Sequence, residues 1–198
     1  MKKAIILIPA LCSLLVFSLS SRAGDMKLFS PTLIDLVSEH SEQLELSEKQ
    51  VASLIHNDAF QQTNSAIEML DRRALKNEVN TNDYILELDE HDKAVINVFL
   101  KELNGKQLAQ LSSLIWQELG VFSFLSREYS EAALGNAVQT REYHQMRYDA
   151  VTSLIQLDKD LASRRFVNEE ARRRFIDEAT FKIEEAIKNK LANNQKWK

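Results

Sequence analysis

LSEKQVASLIHNDAFQQTNSAIEMLDRRALKNEV, residues 46–79, is the stretch that decides the fold. Ser47 stands where a helix N-cap belongs, Glu48 and Gln50 fill the first turn, and Gln50 at the third position completes a capping box. Val51, Leu54, Ile55, Phe60, Ile67, Leu70 and Leu75 then form an apolar stripe with no glycine or proline inside it. The pattern predicts one helix from Ser47 to about Val79. Asn80-Thr81-Asn82 follows as a turn, because these side chains compete for nearby backbone groups. A returning helix carries Tyr84, Leu88, Val95, Phe99 and Leu103. Two long helices joined by a short turn predict an antiparallel hairpin.

Upstream, Ser30 and Pro31 suit the cap and first position of a helix carrying Leu33, Val37, His40 and Leu44. A break near Glu45 and Leu46 separates it from the quoted stretch. Downstream, Asn104-Gly105 ends the returning helix, and Lys106 to Leu119 predicts another, through Leu108, Leu111, Leu114 and Ile115. Gly120 is its left-handed stop. Val121 to Leu134 reads as a short amphipathic helix ended by Gly135. Tyr143, Arg147, Ala150, Leu154, Leu157 and Leu161 recur at three-four spacing along a long helix and suit a coiled-coil-like seam. Asn168 caps the last helix, with Glu169 and Glu170 at its positive dipole end and a stripe of Ile176, Ala179, Ile183, Ile187 and Leu191. These two helices predict a second hairpin. Beyond the leader, the only breakers are Pro31 and four glycines in a chain rich in Leu, Ala, Glu, Lys, Arg and Gln. The expected fold class is all-α, with long antiparallel hairpins forming an extended helical bundle.

The first 23 residues read as a secretory signal peptide. Lys2 and Lys3 precede a nearly unbroken apolar run from Ala4 to Leu19, and Ser21-Arg22-Ala23 offers a cleavage site. The run is short for a bilayer crossing and contains Pro9, so cleavage before Gly24 is favoured over a retained anchor. Cys12, the only cysteine, lies inside the leader. The mature chain therefore has no disulfide, thiolate metal site or cysteine nucleophile, and its stability must come from packing. The expected destination is an oxidising compartment outside the cytosol, and the expected units are 24–120 and 121–198. Residues 24–120 hold 8 basic and 17 acidic residues, net −9; residues 121–198 hold 14 and 12, net +2. That asymmetry points to self-association or partner steering, not to nucleic acid.

Candidate chemical groups are few. No G-x-S-x-G elbow and no glycine-rich phosphate loop is present, so no enzyme is expected. His40 and His91 lie on apolar stripes. With Glu39 or Glu42 nearby they are candidate ligands for a divalent metal. No histidine pair has i, i+4 spacing, which favours a partly buried imidazole bonded to a carbonyl, and no cofactor is expected. Asp89, Glu90 and Asp92 read as a solvated face. Arg164, Arg165, Arg172, Arg173 and Arg174 are candidates for membrane-surface contact, set against simple pairing with Glu169, Glu170, Asp177 and Glu178.

Leu46-Ser47-Glu48-Lys49-Gln50 resembles the L-T-x-x-Q motif of the Spy/CpxP family of bacterial periplasmic stress proteins, and Leu103-Asn104-Gly105-Lys106-Gln107 is a weaker copy. In each, leucine packs, Ser47 or Asn104 caps, and Gln50 or Gln107 reaches back to the cap. The resemblance covers about residues 30–120. It implies an all-helical, often dimeric protein acting as an ATP-independent chaperone or stress adaptor, with a metal-sensing branch. The expected partners are unfolded or envelope proteins and a second copy of the chain. Leu54, Phe60, Ile67, Phe99 and Trp116 are the apolar groups to test for contact with a client, set against the stronger reading that each is plain core. The alternatives are a metal-responsive regulator using His40 and His91, and a structural envelope protein built on dimerised hairpins.

Overall fold

The computed structural model describes residues 39–193. The leader, the mature start at Gly24 and the helix start at Ser30-Pro31 lie outside them. Among the described residues there is helix and turn and no strand. None of the helices described is long and apolar enough to cross a membrane.

The first described segment is a helix end. Glu45 N–H bonds the Glu42 carbonyl at 3.0 Å, and Leu46 N–H bonds that of Ser41 at 2.9 Å, with Glu45 at φ 52°. This is a Schellman closure with a non-glycine residue in the left-handed position. Helix α1 (Glu48–Ile55) follows, capped by Ser47. The expected single helix from Ser47 to Val79 is in fact two. Asn57 breaks it: its side chain caps Ala59 N–H, and α2 runs Asp58–Leu75. Gln61 Nε2 takes the loose Ile55 carbonyl at 3.0 Å. The break re-phases the apolar stripe between Leu54 and Phe60. A second Schellman closure ends α2, with Asn77 at φ 59° and Glu78 N–H on the Arg73 carbonyl at 2.8 Å. Leu75, expected in the stripe, is exposed at that end.

Asn80 caps α3 (Thr81–Glu102), and Asn104 caps α4 (Gly105–Leu119). Gly120, at φ 53°, stops α4 in a conformation that costs a side chain strain. The expected helix from Val121 to Leu134 is a 3-10 turn (Gly120–Leu125) and then α5 (Arg127–Leu134). A second 3-10 turn (Gly135–Gln139) leads to α6 (Arg141–Ser163), capped by Thr140. The last helix, α7 (Glu169–Asn193), starts behind Asn168, whose Oδ1 accepts from Ala171 N–H at 2.8 Å.

Helix α2 packs along α3, with the start of α2 against the end of α3 and the end of α2 against its start. Phe60 meets Phe99 edge-on at 4.9 Å, Tyr84 Oη donates to Asp71 at 2.7 Å, and Arg73 pairs with Glu87 at 2.7 Å. Helix α6 packs on α7 and also against α2 and α3. One apolar core runs from Leu44 through Phe60, Phe99, Leu111, Tyr143 and Val151 to Ile187. It is continuous across Gly120. Burial of this kind contributes roughly 1.5–3 kcal/mol per large aliphatic or aromatic side chain. The core fades toward the α6–α7 turn: no residue of α7 before Thr180 is buried.

Candidate functional site

The two L-x-x-x-Q segments, 57 residues apart in sequence, meet in space. Each first forms its own capping box. Gln50 Oε1 accepts from Ser47 N–H at 3.1 Å, and Gln107 Oε1 accepts from Asn104 N–H at 3.0 Å. Their free amide hydrogens then cross over. Gln50 Nε2 donates to Gln107 Oε1 at 2.9 Å and to the Glu102 carbonyl at 2.8 Å. Gln107 Nε2 donates to Gln50 Oε1 at 3.2 Å and to the Glu45 carbonyl at 3.0 Å. Glu45 and Glu102 each directly precede a motif leucine, so the arrangement has local two-fold symmetry. Both donors and the acceptor of each amide are used. Leu103 is buried and Leu46 packs against the core. Lys106 Nζ also grips the Glu45 carboxylate at 2.6 Å, which holds that carboxyl below its ordinary range.

A second long-range tie is buried. Arg147 on α6 is 3 % exposed. Its guanidinium holds both oxygens of Asp89 on α3, Nη1 at 2.8 Å, while Nε donates to the Leu125 carbonyl at 2.5 Å. Burial alone would favour losing the proton, but the bonds to Asp89 and its charge outweigh that and hold the guanidinium firmly ionised. Asp92, one turn from Asp89, is fully buried. The expectation of a solvated face at Asp89 and Asp92 is therefore corrected: that side of α3 turns toward α6.

Near the α2–α3 turn, three acidic groups of different helices gather. Burial, opposed by Tyr84 and aided by Glu68, pushes the Asp71 carboxyl up to about 6. Burial, with the Asp71 charge, pushes Asp158 of α6 up to about 8. Burial also holds the Tyr84 hydroxyl well above its usual range, and the neighbouring aspartates add to that. Lys159 Nζ bonds Asn77 Oδ1 at 2.7 Å beside them.

The nominated client-contact residues divide sharply. Leu54, Phe60, Ile67 and Phe99 are at most 1 % exposed and belong to the core. As surface contacts they are corrected, because the helical stripe that made them conspicuous is the stripe that the core consumes. Trp116 is 45 % exposed, with its edge against Phe124 at 5.9 Å. Open apolar groups that periodicity did not single out include Met69 on α2 and Leu86 and Leu100 on α3, at 62 %, 63 % and 46 %. They lie off the core stripe, which is the signal that could have found them.

His40 lies in the turn before α1 and His91 midway along α3, both half-buried. Among the described residues no group of three His, Cys, Asp or Glu side chains is placed to hold a metal. In the arginine cluster, Arg172 pairs with Glu169 at 3.1 Å and Arg174 pairs with Glu170. Arg164 stacks over Phe175 at 4.7 Å and Phe166 at 5.6 Å. No family model, curated protein or solved structure matches this chain.

Proposed function

We propose that this protein is a periplasmic, ATP-independent chaperone-like or stress-adaptor protein of the Spy/CpxP kind, exported by cleavage of residues 1–23. The observation that carries the reading is the Gln50–Gln107 crossover, since it joins the two motif copies on which the resemblance rests. In this reading α2–α3 and α6–α7 are the arms of an extended hairpin bundle, and two copies form a homodimer. No cofactor and no catalytic group is needed.

Capture of partly unfolded envelope proteins then falls to the exposed apolar groups Met69, Leu86, Leu100 and Trp116. Leu86 and Leu100 are two heptads apart on α3 and so share one side of it. Apolar groups in the open bind exposed apolar segments of a client by the same transfer energy that builds a core. The test is aggregation of a heat- or reduction-unfolded client without nucleotide. The purified protein slows it, and Leu86→Ser with Leu100→Ser weakens the effect while the helical circular-dichroism signal stays. No suppression at several-fold molar excess sinks the proposal.

A further inference from the structure

We infer that the turn joining α6 to α7 docks on the phospholipid headgroups of an anionic bilayer, with Val167 as an apolar tip inside a collar of arginines. Val167 is 95 % exposed, the most open of the large apolar side chains described. Behind it, Phe166 and Phe175 contact each other at 5.5 Å, and the Arg164 guanidinium covers both rings. Residues 164–174 hold five arginines against two glutamates, net +3.

Those two glutamates are occupied by Arg172 and Arg174. Arg165 and Arg173 are exposed and make no ion pair or hydrogen bond among the described residues. This end of α7 lies off the core, since nothing before Thr180 is buried, so the chain's own packing does not claim it. An acidic protein face would satisfy the arginines but has no use for an apolar tip. A headgroup layer serves both: phosphates accept from the planar guanidinium forks, and the valine and aromatic edge reach the acyl boundary.

The experiment is flotation of the purified protein with vesicles containing phosphatidylglycerol, beside vesicles of phosphatidylcholine alone. Binding is expected only to the first and is expected to fall with added salt. Each basic side chain near an anionic surface multiplies affinity about fivefold, so Arg165→Gln with Arg173→Gln lowers it about 25-fold. Val167→Ser lowers it without a change in charge, and Val167→Trp raises it. Inorganic phosphate at matched ionic strength leaves it unchanged. Equal binding to both vesicles, no binding to the anionic ones, or wild-type binding by the glutamine pair overturns the inference. So does loss of a dimer by that pair in light scattering with no vesicle binding, which assigns the face to self-association. The variants' helical content, read by circular dichroism, is expected to match the parent because neither arginine has a partner to lose; a collapse of the helical signal contradicts the placement on which the inference stands.

Discussion

Gln50 and Gln107 hydrogen-bond each other twice, Nε2 to Oε1 in both directions, at 2.9 and 3.2 Å. Each also caps its own helix. A glutamate would cap equally well but has no hydrogen to donate. The amide is therefore required by the partner helix, not by its own.

That asymmetry gives the first prediction. Gln107→Glu keeps the local capping box, loses both donated bonds, and places a charge at a site only 4 % exposed. The expected loss is roughly 2–4 kcal/mol in urea denaturation, from missing bonds and unsatisfied carbonyls. Gln107→Glu with unchanged midpoint and slope would show that the crossover is not a stabilising contact.

Arg147 and Asp89 tie α6 to α3 across Gly120. Removing one partner of a buried ion pair costs about 3–5 kcal/mol, since the other is left uncompensated. Arg147→Met is expected near the lower end, because Asp89 keeps some solvent access, with a side-chain exposure of 17 %. Arg147→Lys also loses the two-pronged geometry and the bond to the Leu125 carbonyl. Chemical denaturation of both single variants and of Arg147→Met, Asp89→Leu measures the coupling; strict additivity counts against a direct tie.

Asp71 and Asp158 predict a pH dependence of defined sign. Their folded values, about 6 and about 8, lie above the ordinary 3.8. The folded state thus holds more protons than the unfolded one between about pH 4 and 8, and stability falls as pH rises through that window. The favourable contribution is complete at acid pH and gone above the folded values. Asp158→Asn removes much of the slope and is expected to gain about 1 kcal/mol or more at pH 9 relative to the parent. A melting series from pH 4 to 9 with parallel curves for parent and variant would refute this.

Core and surface apolar groups separate by cost. Phe60→Ala removes the edge-on contact to Phe99 and is expected to lose about 3–5 kcal/mol. Leu86→Ser, at 63 % exposure, is expected to stay within about 0.5 kcal/mol. Thermal melts of the two variants check the assignment, and a costly Leu86→Ser would place that side chain in a contact.

Much of the local structure was legible from residue order. The caps at Ser47, Asn104 and Asn168 and the stop at Gly120 each depend on one side chain and a backbone a few atoms away. The break at Asn57 was not read, although the six-residue step from Leu54 to Phe60 records the phase slip. The stripe on α3 was read correctly as apolar, but which polar neighbours lie under it was not. Asp89 and Asp92 look like surface residues until Arg147 arrives from α6. Leu54, Phe60, Ile67 and Phe99 went to the core for the converse reason, while Trp116 stayed open: periodicity marks the side that packs, so it passes over Met69, Leu86 and Leu100.

The sequence by itself determined that this is a helical chain and where most helices start and stop, because capping and propensity act over one turn. Only the tertiary structure decided that Gln50 finds Gln107, that Arg147 finds Asp89, and that burial and the Asp71 charge raise the proton affinity of Asp158. Those pairings are set by how helices distant in sequence come to lie against one another, and a hydrogen bond or buried charge depends on ångström-scale placement that no local pattern encodes.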